Sequence, residues 1–280
     1  MDSIFNFFLD RIYRIIGIFF DLAGGWAETY RSLQHVVRKT ATRTQGRFQK
    51  MVKQNMKPSM IIWDFDGTLL PNDPYDSEQT LLLYKLHETG QKIPFFIRAV
   101  ARTLLYADQK EHLRKVFKKF YIRFMTGAAM DIFDPVCTRL AAKISAADRQ
   151  ALRQLANQGY RMMVLSCGTA NLSEKTLQIA GLADCFESIA GNRFESDNGK
   201  ISTMSLHIPN PEDKVRYLAK LKIEPGSCIA VGDGYTDIPM LDWAKTSVLV
   251  DRTGQKQIKY AHKNYRFVRS LPEILDIGLD

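Results

Sequence analysis

Ile61-Ile62-Trp63-Asp64-Phe65-Asp66-Gly67-Thr68 carries an apolar run straight into two carboxylates spaced i, i+2, and then into Gly-Thr. Side chains alternate along a strand, so two acids two residues apart face the same side as the chain leaves a sheet. In an open α/β sheet, the crevice beyond the carboxyl ends of the strands is where ligands bind. An isolated Asp-x-Asp is an ordinary solvated turn. One that ends a buried strand points to chemistry, because unpaired acids are seldom left there.

Outward from this stretch, the pattern from Pro58 onward is α/β. Short apolar runs at Met60–Trp63, Met162–Leu165, Ile229–Val231 and Val248–Val250 read as buried parallel strands. Helical patterns over about 145–158, 171–181, 211–221 and 236–244 lie between them, with Ser145 as an N-cap and Gly159 as a terminator. Alternation of this kind predicts a doubly wound, mostly parallel sheet. Residues 75–142 break it. They read as four successive helices, roughly 77–89, 93–106, 109–126 and 131–142, inserted after the first strand.

Two later strands end in polar clusters. Met162–Leu165 leads into Ser166-Cys167-Gly168-Thr169, and Ile229–Val231 into Gly232-Asp233-Gly234-Tyr235-Thr236-Asp237. Between them, Lys214 opens a helix after Pro209-Asn210-Pro211. Four clusters in this order, three of them at strand ends, can converge on one pocket.

These segments resemble the four motifs of the haloacid dehalogenase-like superfamily, in its phosphoserine-phosphatase-like branch with a helical cap. The resemblance spans about 58–270. It implies a core formed by 58–74 and 143–280, a cap over 75–142, and a phosphomonoester hydrolase. Asp64 would be the nucleophile, giving an aspartyl phosphate. Asp66 would protonate the leaving alcohol and then take a proton from water. Thr68, Ser166 and Lys214 would bind the phosphate. Mg²⁺ would be held by Asp64, Asp233 and the backbone carbonyl of Asp66, with Asp237 supporting it. The acid two residues after the nucleophile disfavours a dehalogenase, whereas a phosphomutase would use the same residues. The substrate implied is a small phosphorylated metabolite or a lipid-headgroup phosphate. Family members that act on phosphoserine read its amine with an acid just after the first motif, for which Asp73, Asp76 and Glu78 are loose matches.

Composition frames this reading. Hydrophobic residues at 45% and charged residues at 25% describe an ordinary globular chain. The net charge of +9 is local: residues 31–57 carry eight Lys or Arg and no acid and residues 1–30 carry −2, which leaves +3 on 58–280. That concentration separates a basic linker or helix, 31–57, from an apolar helix over 1–30. In the latter, Ser3, Asn6, Asp10, Arg14, Gly17 and Asp21 form a narrow polar stripe, and the broad apolar remainder needs a cover. The protein's own core, a second subunit, or an anionic membrane surface that also attracts the basic run would each serve. Asp10, Arg11 and Arg14 disfavour a membrane span. The absence of basic residues at the extreme N-terminus disfavours a secretory signal. A basic run with Phe48 as its one aromatic disfavours nucleic-acid binding. The four cysteines include no Cys-x-x-Cys pair, which predicts neither a disulfide framework nor structural zinc, and suits a cytoplasmic setting with peripheral attachment to an inner membrane face through 1–57. A membrane-associated, non-catalytic scaffold is the alternative of a different class.

Overall fold

Met60–Trp63 (β1) is buried on both faces, so its residues alternate between two apolar layers. Ile61 and Trp63 enter one layer, Met60 and Ile62 the other. In the computed structural model, which describes residues 60–90, 92–109 and 114–277, β1 is the central strand of a seven-stranded sheet. The other strands are Arg161–Thr169 (β2), Ser188–Asp197 (β3), Lys200–Ser205 (β4), Cys228–Gly232 (β5), Thr246–Val250 (β6) and Arg266–Val268 (β7). Their order is β4-β3-β2-β1-β5-β6-β7, parallel throughout except for the antiparallel β3–β4 pair. Expectations for residues 1–57 fall outside the described residues. Among the described residues, no helix is long and apolar enough to cross a membrane.

The order places the topological switch at β1, since the chain runs outward through β2, β3 and β4 on one side and β5, β6 and β7 on the other. Trp63 pairs with Val164 and with Val231, so the residues that follow these three in β1, β2 and β5 lie level. These segments therefore lead into one crevice.

Ser77–His87 (α1), Phe95–Gln109 (α2), Arg114–Met125 (α3) and Phe133–Lys143 (α4) follow β1 without a strand, as the helical insertion requires. Ala146–Asn157 (α5) and Ala170–Ile179 (α6) share the apolar layer of Ile61 and Trp63 with α4. Pro211–Lys220 (α7) and Ile238–Trp243 (α8) cover the opposite layer through Leu218, Met240 and Leu241, and Lys256–Lys259 (α9) is a single turn. Ser145 caps α5 by accepting the Asp148 N–H at 3.0 Å. Gly159 follows that helix with φ +85°, a conformation that favours glycine.

Three strands lie outside the four apolar runs. β3 contains Gly191 and Asn192, β4 is a polar edge strand, and β7 is three residues long. A signal for β3 and β4 was present in Asn198-Gly199, whose φ values of 49° and 74° close the hairpin between the paired Asp197 and Lys200.

Candidate active site

Asp64 continues the ladder one residue beyond β1, its N–H donating to the Val231 carbonyl at 2.8 Å. The chain then folds back on itself, with Leu70 N–H donating to Phe65 O at 2.8 Å and Gly67 N–H to Leu70 O at 2.7 Å. Gly67 has φ +85°, and a Cβ there would lie 2.2 Å from Asp233 Oδ2. Glycine is thus required twice, by its backbone and by its neighbour.

Lys214 reaches the same carboxylate from α7. It is fully buried near the start of that helix, where Pro211 occupies the first turn and Asp213 accepts from Asn210 N–H at 3.1 Å and Nδ2 at 2.9 Å. Its Nζ donates to Asp64 Oδ1 at 2.6 Å and to Asp237 Oδ1 at 2.5 Å. The other oxygen of Asp237 accepts the N–H groups of Asp233 at 2.9 Å and Gly234 at 3.2 Å, so the loop after β5 is tied by its own last acid. Gly232 makes room for this, since a Cβ there would lie 2.4 Å from Asp237 Cβ. Asp233 accepts from Lys256 Nζ at 2.5 Å.

Carboxylate oxygens of Asp64, Asp233 and Asp237 lie within 4.8 Å of one another. Burial pushes the Asp64 carboxyl well above its ordinary range, and Asp237 adds to this against the pull of Lys214. Burial likewise raises Asp233 to about 6, opposed by Lys256. Burial alone would lower the Lys214 ammonium, but the charges of Asp237 and Asp64 outweigh it and hold the proton. One fully buried cation thus serves a cluster short of positive charge. Hard oxygen donors, with no His or Cys in the group, fit Mg²⁺.

Asp66 turns away from this trio. Its Oδ1 accepts the Ser77 N–H and its Oδ2 the Ser77 hydroxyl, both at 2.8 Å. Burial, followed by repulsion from Asp76, raises its carboxyl to about 7 although both Ser77 bonds favour the ionised form. Ser166 Oγ accepts the Gly168 N–H at 2.9 Å. A Cβ on Gly168 would lie 3.0 Å from Asp66 Oδ2 and 3.1 Å from Ser166 Oγ, so these two groups flank one gap.

A cavity of about 620 Å³ opens over Asp64, Asp66, Ser166 and Asp233. Lys214 and Asp237 lie behind its wall, and Thr68 is fully buried outside it, its hydroxyl without a hydrogen-bond partner. The fold therefore brings Asp64, Asp66, Ser166 and Asp233 to the surface of one chamber, braces Asp64 and the Asp233 loop with Lys214 and Asp237, and leaves Thr68 off the lining. Of the acids considered for reading an amine, Asp73 is exposed and off the lining, while Asp76 faces Arg114 at 3.3 Å. Glu78 is buried against Lys118, Arg114 at 3.1 Å and Thr169 Oγ1 at 2.6 Å, and these partners hold its carboxyl below its ordinary range despite burial.

Ser77 and Lys256 are site residues that sequence reasoning missed. Asp76-Ser77 ahead of an apolar run signals a helix start, but nothing in it points eleven residues back to Asp66. Lys256 belongs to the one-turn α9 and gives no local signal at all.

The profile of haloacid dehalogenase-like hydrolases matches residues 61–242. The phosphoserine phosphatase of Archaeoglobus fulgidus is 24% identical over 195 residues, covering 68% of this chain and 52% of that protein, so the chain spans about half that relative's length. The phosphoserine phosphatase of Wolinella succinogenes is 22% identical over 190 residues, covering 68% of this chain and 85% of that one. A phosphoserine phosphatase structure holding an analogue of a phospho-aspartyl intermediate shares the fold at a TM-score of 0.57 and 20% identity, covering 79% of this chain and 98% of that one. With the profile covering more than half of its length, the chain belongs to the haloacid dehalogenase-like hydrolases.

Proposed function

We propose that this protein is a magnesium-dependent phosphomonoester hydrolase that forms an aspartyl phosphate on Asp64. The observation that carries the reading is the pairing of buried Asp64 with Lys214 at 2.6 Å, beside Asp233 and at the base of a cavity of about 620 Å³. In the first step an Asp64 carboxylate oxygen attacks phosphorus and the bond to the leaving oxygen breaks. The Asp66 carboxyl, raised to about 7 and so partly protonated near neutrality, gives its proton to that oxygen and releases a neutral alcohol. Asp66 then takes a proton from water as the water oxygen attacks phosphorus, which breaks the bond to Asp64 and frees inorganic phosphate. Ser166 accepts from Gly168 and so has its own O–H free to donate to a phosphoryl oxygen. Lys214 holds Asp64 in place and keeps positive charge beside it. Asp64, Asp233 and the backbone carbonyl of Asp66 would hold Mg²⁺, with Asp237 fixing the Asp233 loop from behind. Bound there, the ion would offset the repulsion between a phosphate dianion and the acids.

Phosphate release from a panel of phosphomonoesters, with Mg²⁺ and then with excess chelator, tests the reading. Release that survives metal removal would refute it.

Ser77 acts through Asp66 as a positioning residue. Ser77→Ala removes the hydroxyl that fixes Asp66 Oδ2 and leaves the backbone bond in place. We expect kcat to fall about tenfold with KM little changed, because the bond orients the proton donor and does not touch substrate. Steady-state kinetics that show an unchanged kcat would remove Ser77 from this role.

Attachment of residues 1–57 to an anionic membrane rests on their sequence, an apolar stretch with helical spacing followed by eight Lys or Arg. Full-length protein should co-sediment with phosphatidylserine vesicles at low salt, and protein lacking 1–57 should not. Equal partition of the two would refute attachment.

A further inference from the structure

The roof of the chamber is one face of α3, on which Arg114, Lys115, Lys118, Lys119 and Ile122 line the cavity. Spacings of three and four residues put them together, as helix geometry requires. Their charges are not equivalent. Arg114 is committed to Asp108 at 2.7 Å, Glu78 at 3.1 Å and Asp76 at 3.3 Å. Lys118 is committed to Glu78 and to the Cys167 carbonyl at 3.3 Å. These two cations lock α3 to α1 and to the end of β2. Lys115 and Lys119 are exposed and, among the described residues, enter no hydrogen bond or ion pair.

Four cations on adjacent turns repel one another and work against the helix unless an anion joins them. Two are answered by protein carboxylates and two are not. Of the acids near them, Asp76 and Glu78 already face Arg114, and Asp108 faces it at 2.7 Å through Oδ2, with Oδ1 left without a partner. We infer that the substrate carries a second phosphate, remote from the one hydrolysed, and that Lys115 and Lys119 bind it. At roughly 5–6 Å between Cβ atoms, an i, i+4 pair can grip one dianion from two sides. Ile122 and Leu206 supply apolar lining to the same chamber and suit a short carbon backbone between the two phosphates. The inference rests on the phosphatase reading for the chemistry at Asp64, but the binding it describes can be measured without turnover.

The probes are the monophosphates and α,ω-bisphosphates of a short series of alkanediols, with 3-phosphoglycerate as a carboxylate arm and phosphoserine as an aminated one. Calorimetric binding to Mg²⁺-loaded Asp64→Asn protein should favour the best bisphosphate over its monophosphate by about tenfold, the ratio that ~1.4 kcal/mol supports. In that background Lys115→Gln with Lys119→Gln should bring the ratio close to one, and the same pair in the active enzyme should raise KM for the bisphosphate while kcat holds. Phosphoserine should bind no better than a monophosphate. A ratio near one with both lysines present, or a ratio that survives their replacement, overturns the inference. So does 3-phosphoglycerate binding as tightly as the bisphosphate, since a monoanion would then suffice. Turnover that needs Asp64 with no bisphosphate preference would leave the phosphatase reading standing and remove the second site. A bisphosphate preference in binding without turnover of any probe would do the reverse.

Discussion

Asp64→Asn protein should release phosphate more than about 10⁴-fold more slowly than the parent enzyme, and its fold should be unharmed. An amide is nearly the same size as a carboxylate and keeps an oxygen that can accept from Lys214, now at 2.6 Å from Oδ1. It has lost the negative charge that attacks phosphorus. Acid-quenched parent enzyme should carry hydroxylamine-sensitive phosphate, the behaviour of an acyl phosphate, and the variant should carry none. Retention of even a hundredth of the parent rate would mean that some other group takes the phosphoryl.

The same substitution makes a thermodynamic claim of definite sign. Burial and the charge of Asp237 raise the Asp64 carboxyl well above its ordinary range. Metal-free folded protein then binds more protons than the unfolded chain once pH passes the ordinary carboxylate value, so stability falls as pH rises through that window. An asparagine in place of the acid removes this cost. Thermal melting of the metal-free variant at pH 7 should be no lower than that of the parent, while the stabilisation gained from Mg²⁺ should shrink because one oxygen donor has lost its charge.

What could be read from the sequence follows from how local each signal is. β1, β2, β5 and β6 are buried on both faces, so each shows as an unbroken apolar run. Asp64, Asp66, Ser166 and Asp233 sit just beyond such apolar runs, and the register of β1 with β2 and β5 brings them together. β3 and β4 form an edge hairpin with polar residues on the solvent side, where alternation is blurred and only Asn198-Gly199 marks the turn. The bond from Ser77 to Asp66 and the ion pair from Lys256 to Asp233 depend on how loops settle after the sheet forms, and no spacing encodes them. Thr68 is a different case. Its place in the motif suggests a phosphate contact, and its buried hydroxyl, without a partner, is off the chamber lining.

Lys214→Met should be the most destabilising single substitution at this site. Lys214 is fully buried between Asp64 and Asp237, and Asp237 is itself fully buried, so solvent screens this contact little. Methionine can fill much of the space of the lysine stem but leaves both acids without their cation. Removing one partner of a buried pair costs roughly 3–5 kcal/mol. At pH 7 without metal, urea unfolding should show a loss of that size. The loss should shrink as pH falls, because burial raises the Asp64 carboxyl and protonating it removes charge that Lys214 was needed to balance. Mg²⁺ should restore part of the stability, since it brings positive charge to the same oxygens. Turnover should not recover with it: without the ammonium, Asp64 loses its 2.6 Å anchor as well as a neighbouring charge, and a kcat deficit of about 10²–10³ is expected even in saturating metal. A variant as stable as the parent at pH 7 would show that Asp64 is not held ionised by Lys214, and that the cluster lacks the charge deficit from which its affinity for a divalent cation is argued.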